Sequence, residues 1–201
     1  MSPEVYRLFE QILHGKEITG PVLEVGAVHG PDSLINLQVF NDSSERIGVN
    51  TIMQESTGLL KYMQANANDL SCFQDHYFQV VVCNSMLEHD PLFWKTLAEI
   101  HRVTARGGLI AIGVPGYSGM GLSHVFKKHN LLQRLLFRLA IIYDKEALSA
   151  STLTLGEHFF PGDYYRFSRQ ALQEVFFDGM VDVTIHTTMN PPRFIGIGTK
   201  P

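Results

Sequence analysis

Three parts of this 201-residue chain combine residue types and spacing that could do chemistry. The first is "VLEVGAVHGP" at 22–31, where an apolar run carries Glu24 and then turns through Gly26 and Gly30. A strand that ends in a small-residue turn and feeds a helix directs free backbone N–H groups to the sheet edge, where open α/β sheets bind nucleotide-like ligands. This stretch therefore predicts a ligand-binding turn.

The other two parts contain side chains that could take a proton from a reacting group. The candidates are His89, after the apolar run "YFQVVVCNSM", and His158, Asp163 and Tyr164, further along the chain. Histidine has the unperturbed pKa best suited to general-base catalysis near neutral pH. Two structural alternatives stay open: His89 packs at the start of a helix, and Asp163 pairs with Arg166 while the neighbouring aromatic residues close the core.

Several nucleotide and metal chemistries are disfavoured by spacing. A dinucleotide site would need G-x-G-x-x-G, but Val28 and Ser33 stand where further glycines would fall. A P-loop would need Gly-Lys-Ser/Thr, and "GAVHGPDS" lacks it. The nine histidines and two cysteines form no compact ligand set, so the sequence predicts no metal site.

Composition sets the protein class. A hydrophobic content of 45% suits one globular domain over 1–201, and a formal charge of -4 gives no basic footprint for nucleic acid. Cys72 and Cys83 suit two reduced thiols and a cytoplasmic location. No stretch reaches the roughly 18 uncharged apolar residues of a spanning helix, so we expect a soluble protein with no transmembrane segment.

Hydrophobic periodicity switches repeatedly between short apolar runs and helical spacing, which predicts the α/β class. Strands are expected over 21–25, 45–50, 59–64, 77–86, 109–114, 181–188 and 193–199. Helices are expected over 3–14, 31–40 and 91–103, with a last one from the N-cap Ser168 to about Gly179. The first helix lies within a capping segment, 1–20.

Residues 116–165 form an insertion much longer than an ordinary connection. Apolar residues from Val125 to Ile142 follow helical spacing, and the basic residues of this stretch fall largely elsewhere on the helical wheel. Three interpretations stay open: a lid helix with a solvated basic face, a homodimer surface, or a surface that meets an anionic substrate or membrane lipid.

Residues 20–115 resemble the class I S-adenosylmethionine-dependent methyltransferases throughout. "VLEVGAVHG" resembles that family's first motif, "ERIGVN" its second strand, "ANANDLSCFQDHYFQVVVCNSMLEHD" its adenine loop and fourth strand, and "EIHRVTARGGLIAIGVP" its fifth strand. More weakly, "HFFPGDYYRFSRQALQEVF" resembles a segment in a branch associated with sugar or polysaccharide modification. Val28, Asn50 and Asn66 depart from the family, which usually has glycine at the first position and acidic residues at the other two.

The resemblance implies a three-layer Rossmann-like fold with a mostly parallel seven-stranded sheet, an antiparallel last strand and a helical insertion after strand 5. It also implies a site for S-adenosylmethionine and its product, S-adenosylhomocysteine. The implied cofactor residues are Glu24, Gly26, Ala27, Val28, Gly30, Asn50, Thr51, Asn66, Ala67, Asn84, Ser85 and Met86. Gly26 and Ala27 would form the backbone cradle for the methionine part.

Structural roles are the alternatives for some of these positions. Asn50 could form a turn, Gly30 could permit close packing of strand and helix, and Met86 could belong to the core. We expect methyl transfer to oxygen on a small-molecule or sugar-like acceptor. The alternative classes are a catalytically degenerate binding protein and a nicotinamide oxidoreductase.

Overall fold

The computed structural model describes residues 1–52, 56, 60–121, 135, 139, 152–157 and 162–201. The helices are α1 (Pro3–Leu13), α2 (Phe93–Val103) and the short α3 (Arg169–Ala171), which continues as a π-helical turn over Leu172–Phe176. The strands are β1 (Val22–Val25), β2 (Arg46–Asn50), β3 (Leu60–Gln64), β4 (Phe78–Asn84), β5 (Thr104–Pro115), β6 (Tyr117–Gly121), β7 (Thr152–Thr154), β8 (Val181–Thr188) and β9 (Arg193–Thr199).

Seven strands form one mixed sheet in the order β3-β2-β1-β4-β5-β9-β8. The first five are parallel, and β9 runs antiparallel to both β5 and β8. The predicted α/β class, seven-stranded sheet and antiparallel last strand are confirmed. Because the chain moves outward from β1 to β3 and then returns to β4, the order reverses between β1 and β4, where open sheets bind ligands.

Apolar side chains cover both faces of the sheet. α1 buries Val5, Phe9 and Leu13 against one face, together with Val80 and Val82 of β4. On the other face, a second apolar cluster contains Val81 and Cys83 of β4. Side chains of α2 and of the π-helical turn Leu172–Phe176 complete this cluster. This arrangement explains why β4 reads as a continuous apolar run, since neither of its faces meets solvent.

The predicted helix over 31–40 is wrong. The chain instead forms two single 3-10 turns, Leu34–Asn36 and Gln38–Phe40, separated by Leu37 with φ −54° and ψ 137°. An α-helix cannot pass through a residue with extended ψ. The connection between β1 and β2 is therefore irregular.

Carboxylates from distant elements explain this irregularity. Glu24 of β1 accepts the N–H of Ile35, and Glu10 of α1 accepts the N–H groups of Gln38 and Val39. These contacts give three backbone donors, of which that of Ile35 is buried and that of Val39 partly buried, a partner that a helix would otherwise supply. Long-range hydrogen bonds thus replace the local helical ones.

Other boundaries differ by less. α2 begins at Phe93 instead of Pro91, because Asp90 accepts the N–H of Leu92 and forms a turn there. β5 begins at Thr104, so Gly107 (φ +74°) lies within an irregular part of the strand and does not precede it. Ser168 caps α3 as expected, with Oγ accepting the N–H of Ala171 at 2.9 Å.

The two ends of the insertion meet in a separate two-stranded sheet of β6 and β7. Most of the predicted helix over 125–142 lies outside the described residues. Leu135 and Leu139 are helical, and both side chains are exposed. In the described part of the chain, no helix combines the length and apolarity needed to cross a membrane.

Candidate active site

Two adjoining cavities lie at the carboxyl ends of β1, β2 and β4, at the point where the strand order reverses. The larger has a volume of about 930 Å³ and the smaller about 480 Å³. The two cavities share five lining residues: Gly26, Val28, His29, Ser85 and His89. All of the predicted cofactor residues except Ala27 line at least one of them.

The turn after β1 leaves space because of Gly26. Its φ of +80° favours glycine, and a Cβ here would lie 2.6 Å from Cγ of Met86. The N–H groups of Gly26 and Ala27 both donate to the carbonyl of Val49, at 2.9 and 3.0 Å. Ala27 is fully buried and lines neither cavity, so its predicted place in the cradle is not supported.

Val28 and Gly30 extend the same turn. Val28 stands on the wall of both cavities with its side chain 66% exposed, where a ligand would contact it directly. Gly30 lines the smaller cavity, and a Cβ at this position would meet nothing within 4 Å. Close packing therefore does not explain Gly30, whereas its φ of +144° does require glycine.

Glu24 is buried at the base of the smaller cavity. Its Oε2 accepts the hydroxyl of Ser33 at 2.5 Å and the N–H of Ile35 at 3.0 Å. Desolvation raises the pKa of Glu24, and these two hydrogen bonds oppose the rise. The Glu24 carboxyl group therefore binds the irregular β1–β2 connection to strand β1 and also lines the cavity.

Asn50 and Thr51 lie at the end of β2 on the wall of the larger cavity. The amide of Asn50 donates to the carbonyl of Ala27 at 2.7 Å, and its Oδ1 accepts the N–H of Ile52 at 3.2 Å. Asn50 therefore forms a turn, as the structural alternative held, while still facing the cavity. The two roles occur together.

The end of β3 supplies Asn66 and Ala67 to the larger cavity, as expected. Sequence reasoning missed Asn68 and Asp90 beside them. The amide of Asn68 donates to Asp90 at 2.7 Å and to Thr96 at 2.8 Å, which joins the β3 turn to α2. Asp90 directly precedes the helix predicted over 91–103, and this position was the available signal for it.

The end of β4 supplies Asn84, Ser85 and Met86. Oδ1 of Asn84 is buried without a hydrogen-bond partner, and its Nδ2 donates to Oγ of Ser85 at 3.0 Å. Ser85 has a φ of +54°, and its Oγ also accepts a hydrogen bond from Arg193. Arg193 lies at the start of β9 and was not predicted to belong to the site.

Glu88 and His89 follow in a single turn after β4. His89 lines both cavities, which keeps it as the candidate nearest to the reacting centre. Glu88 is 0% exposed, and neither of its carboxylate oxygens has a hydrogen-bond partner. Burial raises the pKa of Glu88 to about 7, and the nearby backbone N–H of the same residue, followed by the positive charges of Arg193 and Arg166, opposes this rise.

Of the remaining proton-acceptor candidates, Asp163 and Tyr164 line neither cavity. Arg166 holds Asp163 with two charged hydrogen bonds of 2.5 and 2.6 Å, as the structural alternative held. Tyr164 is 57% exposed, and its backbone N–H donates to the backbone carbonyl of Glu88 at 2.8 Å. His158 lies outside the described residues.

Two charge features complete the description of the site. Across the described ranges, no group of three or more His, Cys, Asp or Glu side chains is placed to hold a metal ion. The charged N-terminus of Met1 lies 3.5 Å from Asp32, and both residues line the smaller cavity. The polar side chains that line both cavities are those of His29, Ser85 and His89.

Comparison with known families and structures agrees with this fold. The family described as "Methyltransferase domain" matches residues 34–112. Comparison with curated proteins finds no match.

Three solved structures illustrate the similarity. One is a 1,6-didemethyltoxoflavin-N1-methyltransferase from Burkholderia thailandensis, solved with S-adenosylhomocysteine (16% identity, 98% of this chain and 79% of that one, TM-score 0.64). Another is phosphoethanolamine N-methyltransferase 2 from Haemonchus contortus (12% identity, TM-score 0.63). The match covers 100% of this chain and 53% of that one, so this chain spans about half of the larger protein. The third is a SAM-dependent methyltransferase from Methanosarcina mazei (17% identity, 94% and 96%, TM-score 0.57).

Proposed function

We propose that this chain is a class I S-adenosylmethionine-dependent methyltransferase that methylates an oxygen atom of a small-molecule or sugar-like acceptor, which its fold and the match of residues 34–112 to a methyltransferase domain family support. The supporting observation is the pair of adjoining cavities at the reversal of strand order, lined by the residues that the family resemblance implies. The larger would hold the adenosine part of S-adenosylmethionine, and the smaller its methionine part.

The cavities suit such a ligand in size and chemistry. Small-molecule sites usually enclose about 300–1,000 Å³, and the larger cavity alone has about 930 Å³. Asn66, Asn68 and Asp90 provide polar atoms around the place proposed for the adenine ring. In the smaller cavity, the Glu24 carboxyl group is an acceptor of the kind that an ammonium group needs.

The chemistry needs orientation more than a strong base. When bound, S-adenosylmethionine supplies an activated methyl carbon, so that the S–CH₃ bond breaks as the O–CH₃ bond forms and the acceptor proton leaves. Correct positioning of two reactants contributes about 7–11 kcal/mol, whereas a general base contributes about 10²–10⁴-fold in rate. The walls around Gly26, Ser85 and Met86 would perform this positioning.

His89 is the proposed proton acceptor. Of the candidates, it is the one that lines both cavities, so an acceptor in the shared region would reach it. Asp163 is already bound to Arg166 and is less suited to the role. The insertion, 116–165, would cover the acceptor, because its two ends lie beside the carboxyl end of β5 and the turn carrying Glu88.

The first experiment is a calorimetric titration of the purified protein with S-adenosylhomocysteine, with NAD and NADP as controls. Saturable binding of S-adenosylhomocysteine alone supports the proposal. Binding of NAD or NADP instead would replace it with an oxidoreductase. No binding of any of the three at millimolar concentration would contradict the methyltransferase activity.

Oxygen and nitrogen acceptors require a second experiment, because two of the similar structures are N-methyltransferases. Matched acceptors that differ only in a hydroxyl or an amino group, such as glucose and glucosamine, would be supplied with radiolabelled methyl donor. Transfer to the hydroxyl compounds is expected. Transfer restricted to the amines would contradict O-methylation and leave the proposed cofactor site intact.

A degenerate methyltransferase fold that binds a partner is the second candidate. The observation that favours it is the internal use of donors in the glycine turn: Gly26 and Ala27 donate to Val49, and Asn50 donates to Ala27. Such a protein would fold normally and bind no S-adenosylhomocysteine. The same titration therefore separates the two candidates, with thermal unfolding as the check on folding.

A further inference from the structure

Ser85 occupies an unusual position at the junction of the two cavities. It follows β4, lines both cavities, and has a φ of +54°, in a region that side chains other than glycine rarely adopt. Its N–H donates to the carbonyl of Gly113 at 2.9 Å, which anchors this backbone on the neighbouring strand. Backbone held in such a conformation occurs preferentially at functional sites.

The hydrogen bonds of Ser85 leave its proton unused. Its Oγ accepts one hydrogen bond from Nδ2 of Asn84 and another from the guanidinium of Arg193. Both are donors only, so neither can take the hydroxyl hydrogen. In the described part of the chain, no acceptor takes it. The hydroxyl is therefore available to donate to a ligand in either cavity.

Arg193 places a positive charge behind this hydroxyl without a carboxylate bound to it. The hydrogen bond to Ser85 uses one of the five N–H groups of the guanidinium. Arg166, the neighbouring cation, is already paired with Asp163. Glu88 is close enough to influence Arg193, yet its oxygens accept no hydrogen bond. A partly buried guanidinium in this state lacks its usual anionic partner.

We propose that Ser85 and Arg193 form an oxyanion-binding site at the junction of the cavities, which takes a carboxylate or a comparably acidic oxygen. The Ser85 hydroxyl donates directly, and Arg193, which lines neither cavity, polarises this hydroxyl through their hydrogen bond and adds a positive charge behind it. Hydrogen bonds from ionised donors to anionic oxygens are shorter and roughly twice as strong as neutral ones. The oxyanion belongs either to the methyl acceptor, which rests on the proposed function, or to the methionine carboxylate of the donor.

Glu88 balances the charge of this site. Its turn, the segment 162–167 and β9 bring Arg166, Asp163 and Arg193 within electrostatic range of its carboxylate. When an anion binds beside Arg193, Glu88 can take up a proton, because its pKa is already near neutrality. The site therefore accepts an oxyanion without gathering two uncompensated negative charges.

The test follows the side-chain Nε–H signal of Arg193 by ¹⁵N nuclear magnetic resonance, assigned with the variant Arg193→Met. Benzoate and its neutral analogue benzamide are added to the free protein and to protein saturated with S-adenosylhomocysteine. We expect benzoate to shift the Arg193 signal saturably and to bind at least tenfold more tightly than benzamide. Arg106→Met, at an exposed arginine, is the matched control and leaves benzoate binding unchanged.

Two further variants keep the test valid if Arg193→Met unfolds. Ser85→Gly removes the hydroxyl and suits the positive φ, and it should weaken benzoate binding by about tenfold while Arg193 stays in place. Arg193→Lys keeps the positive charge. This variant should bind benzoate more weakly than the wild type does, and it should still bind benzoate more tightly than it binds benzamide. Equal binding of benzoate and benzamide, or no selective shift of the Arg193 signal, would overturn the oxyanion site.

The source of the oxyanion is decided by comparing S-adenosylhomocysteine with 5′-methylthioadenosine, which lacks the amino-acid carboxylate. If Arg193→Met weakens benzoate binding and leaves both nucleosides unaffected, the site serves the acceptor. If it weakens S-adenosylhomocysteine alone, the site serves the donor carboxylate. Failure of the wild type to bind either nucleoside would contradict the proposed function, while the benzoate titration of the free protein would still test the oxyanion site.

Discussion

Two buried carboxylates next to the cavities differ in how the surrounding protein uses them. Glu24 on β1 binds the hydroxyl of Ser33 and the N–H of Ile35, and so it replaces part of a missing helix. Glu88 after β4 has no partner for its carboxylate, and only its backbone carbonyl receives hydrogen bonds, from Tyr164 and Tyr165. The first carboxylate stabilises the fold, whereas the second is a cost that the fold alone does not explain.

The difference separates the two sides of the site. On the β1 side, polar groups are matched within the protein, and the cavity wall is fixed before any ligand arrives. On the β4 side, Asn84, Ser85, Glu88 and Arg193 retain unused donors or acceptors. Unsatisfied buried polar groups are rare in folded proteins and need an explanation. Under the proposed function, we therefore expect ligand recognition to depend most on the β4 side.

The largest expected effect tests the structural half of this comparison. Glu24→Ala leaves the Ser33 hydroxyl and the Ile35 N–H buried without their partner, and each such group costs about 1–3 kcal/mol. The free energy of unfolding should fall by about 2–5 kcal/mol in urea titrations. Glu17→Ala, at an exposed position, is the control and should change stability by less than about 0.5 kcal/mol. If Glu24→Ala and Glu17→Ala changed stability equally, Glu24 would not stabilise the fold, and its contrast with Glu88 would be lost.

The second prediction concerns the pH dependence contributed by Glu88. Its pKa is about 7 in the folded protein against 4.5 for the unperturbed group, so the unfolded chain loses this proton first as pH rises. The contribution of Glu88 to the free energy of unfolding therefore decreases as the pH rises between these two pKa values, by about 2–3 kcal/mol from pH 5 to pH 8.

Glu88→Gln removes the titrating group and should abolish this component. The measurement is the free energy of unfolding of both proteins at pH 5 and pH 8, and the quantity compared is the change with pH rather than the absolute stability. A wild type and variant with the same pH dependence would show that Glu88 ionises normally, and the contrast with Glu24 would fail.

A third prediction sharpens the comparison at the turn after β1. Gly26→Ala combines a strained φ with a Cβ only 2.6 Å from Met86, whereas Gly15→Ala has a similar φ of +78° and no atom within 4 Å. Both substitutions should lose about 1–2 kcal/mol of stability from the backbone alone. Gly26→Ala should in addition push Met86 toward the cavity and weaken S-adenosylhomocysteine binding by at least about tenfold. Calorimetry on both variants measures the difference, and equal binding would contradict the assigned site.

The smallest effect is expected at Asn50. Asn50→Ala removes one hydrogen bond to Ala27 and one to Ile52, which should weaken S-adenosylhomocysteine binding by about 1 kcal/mol, or roughly fivefold, through a looser turn. Asn41→Ala, an exposed asparagine outside both cavities, is the matched control. Unchanged affinity in Asn50→Ala would show that this turn does not contribute to the proposed cofactor site.

The strands of the main sheet were predicted well because buried strands have a strong local signal, whereas β6 and β7 were not predicted. β4 and β5 are short apolar runs bounded by turns, and their existence follows from the sequence alone. The failed helix over 31–40 has the opposite cause, since its N–H groups are taken by Glu10 and Glu24 from other elements. No local pattern shows that a carboxylate far away in the chain will compete for those donors.

The same reason limits prediction of the site. Residues at the ends of β1, β2 and β4 could be identified because each follows a strand whose position is readable. Arg193 could not be identified from the sequence, because it is 108 positions away from Ser85. The antiparallel pairing of β9 with β5 brings the two residues together. Asp163 was readable as a polar residue near the site, but its pairing with Arg166 removes it from that role.

The small β6–β7 sheet has a consequence for how this protein can be modified. It pairs Tyr117–Gly121 with Thr152–Thr154, so these two segments of the chain lie side by side. The entropy of closing a loop changes only slowly with its length, by about 0.6 kcal/mol for each doubling. A change in the number of residues between these strands therefore carries only a small entropic cost. Under the proposed function, exchanging this segment for that of another protein should alter acceptor preference without changing the described residues that line the two cavities.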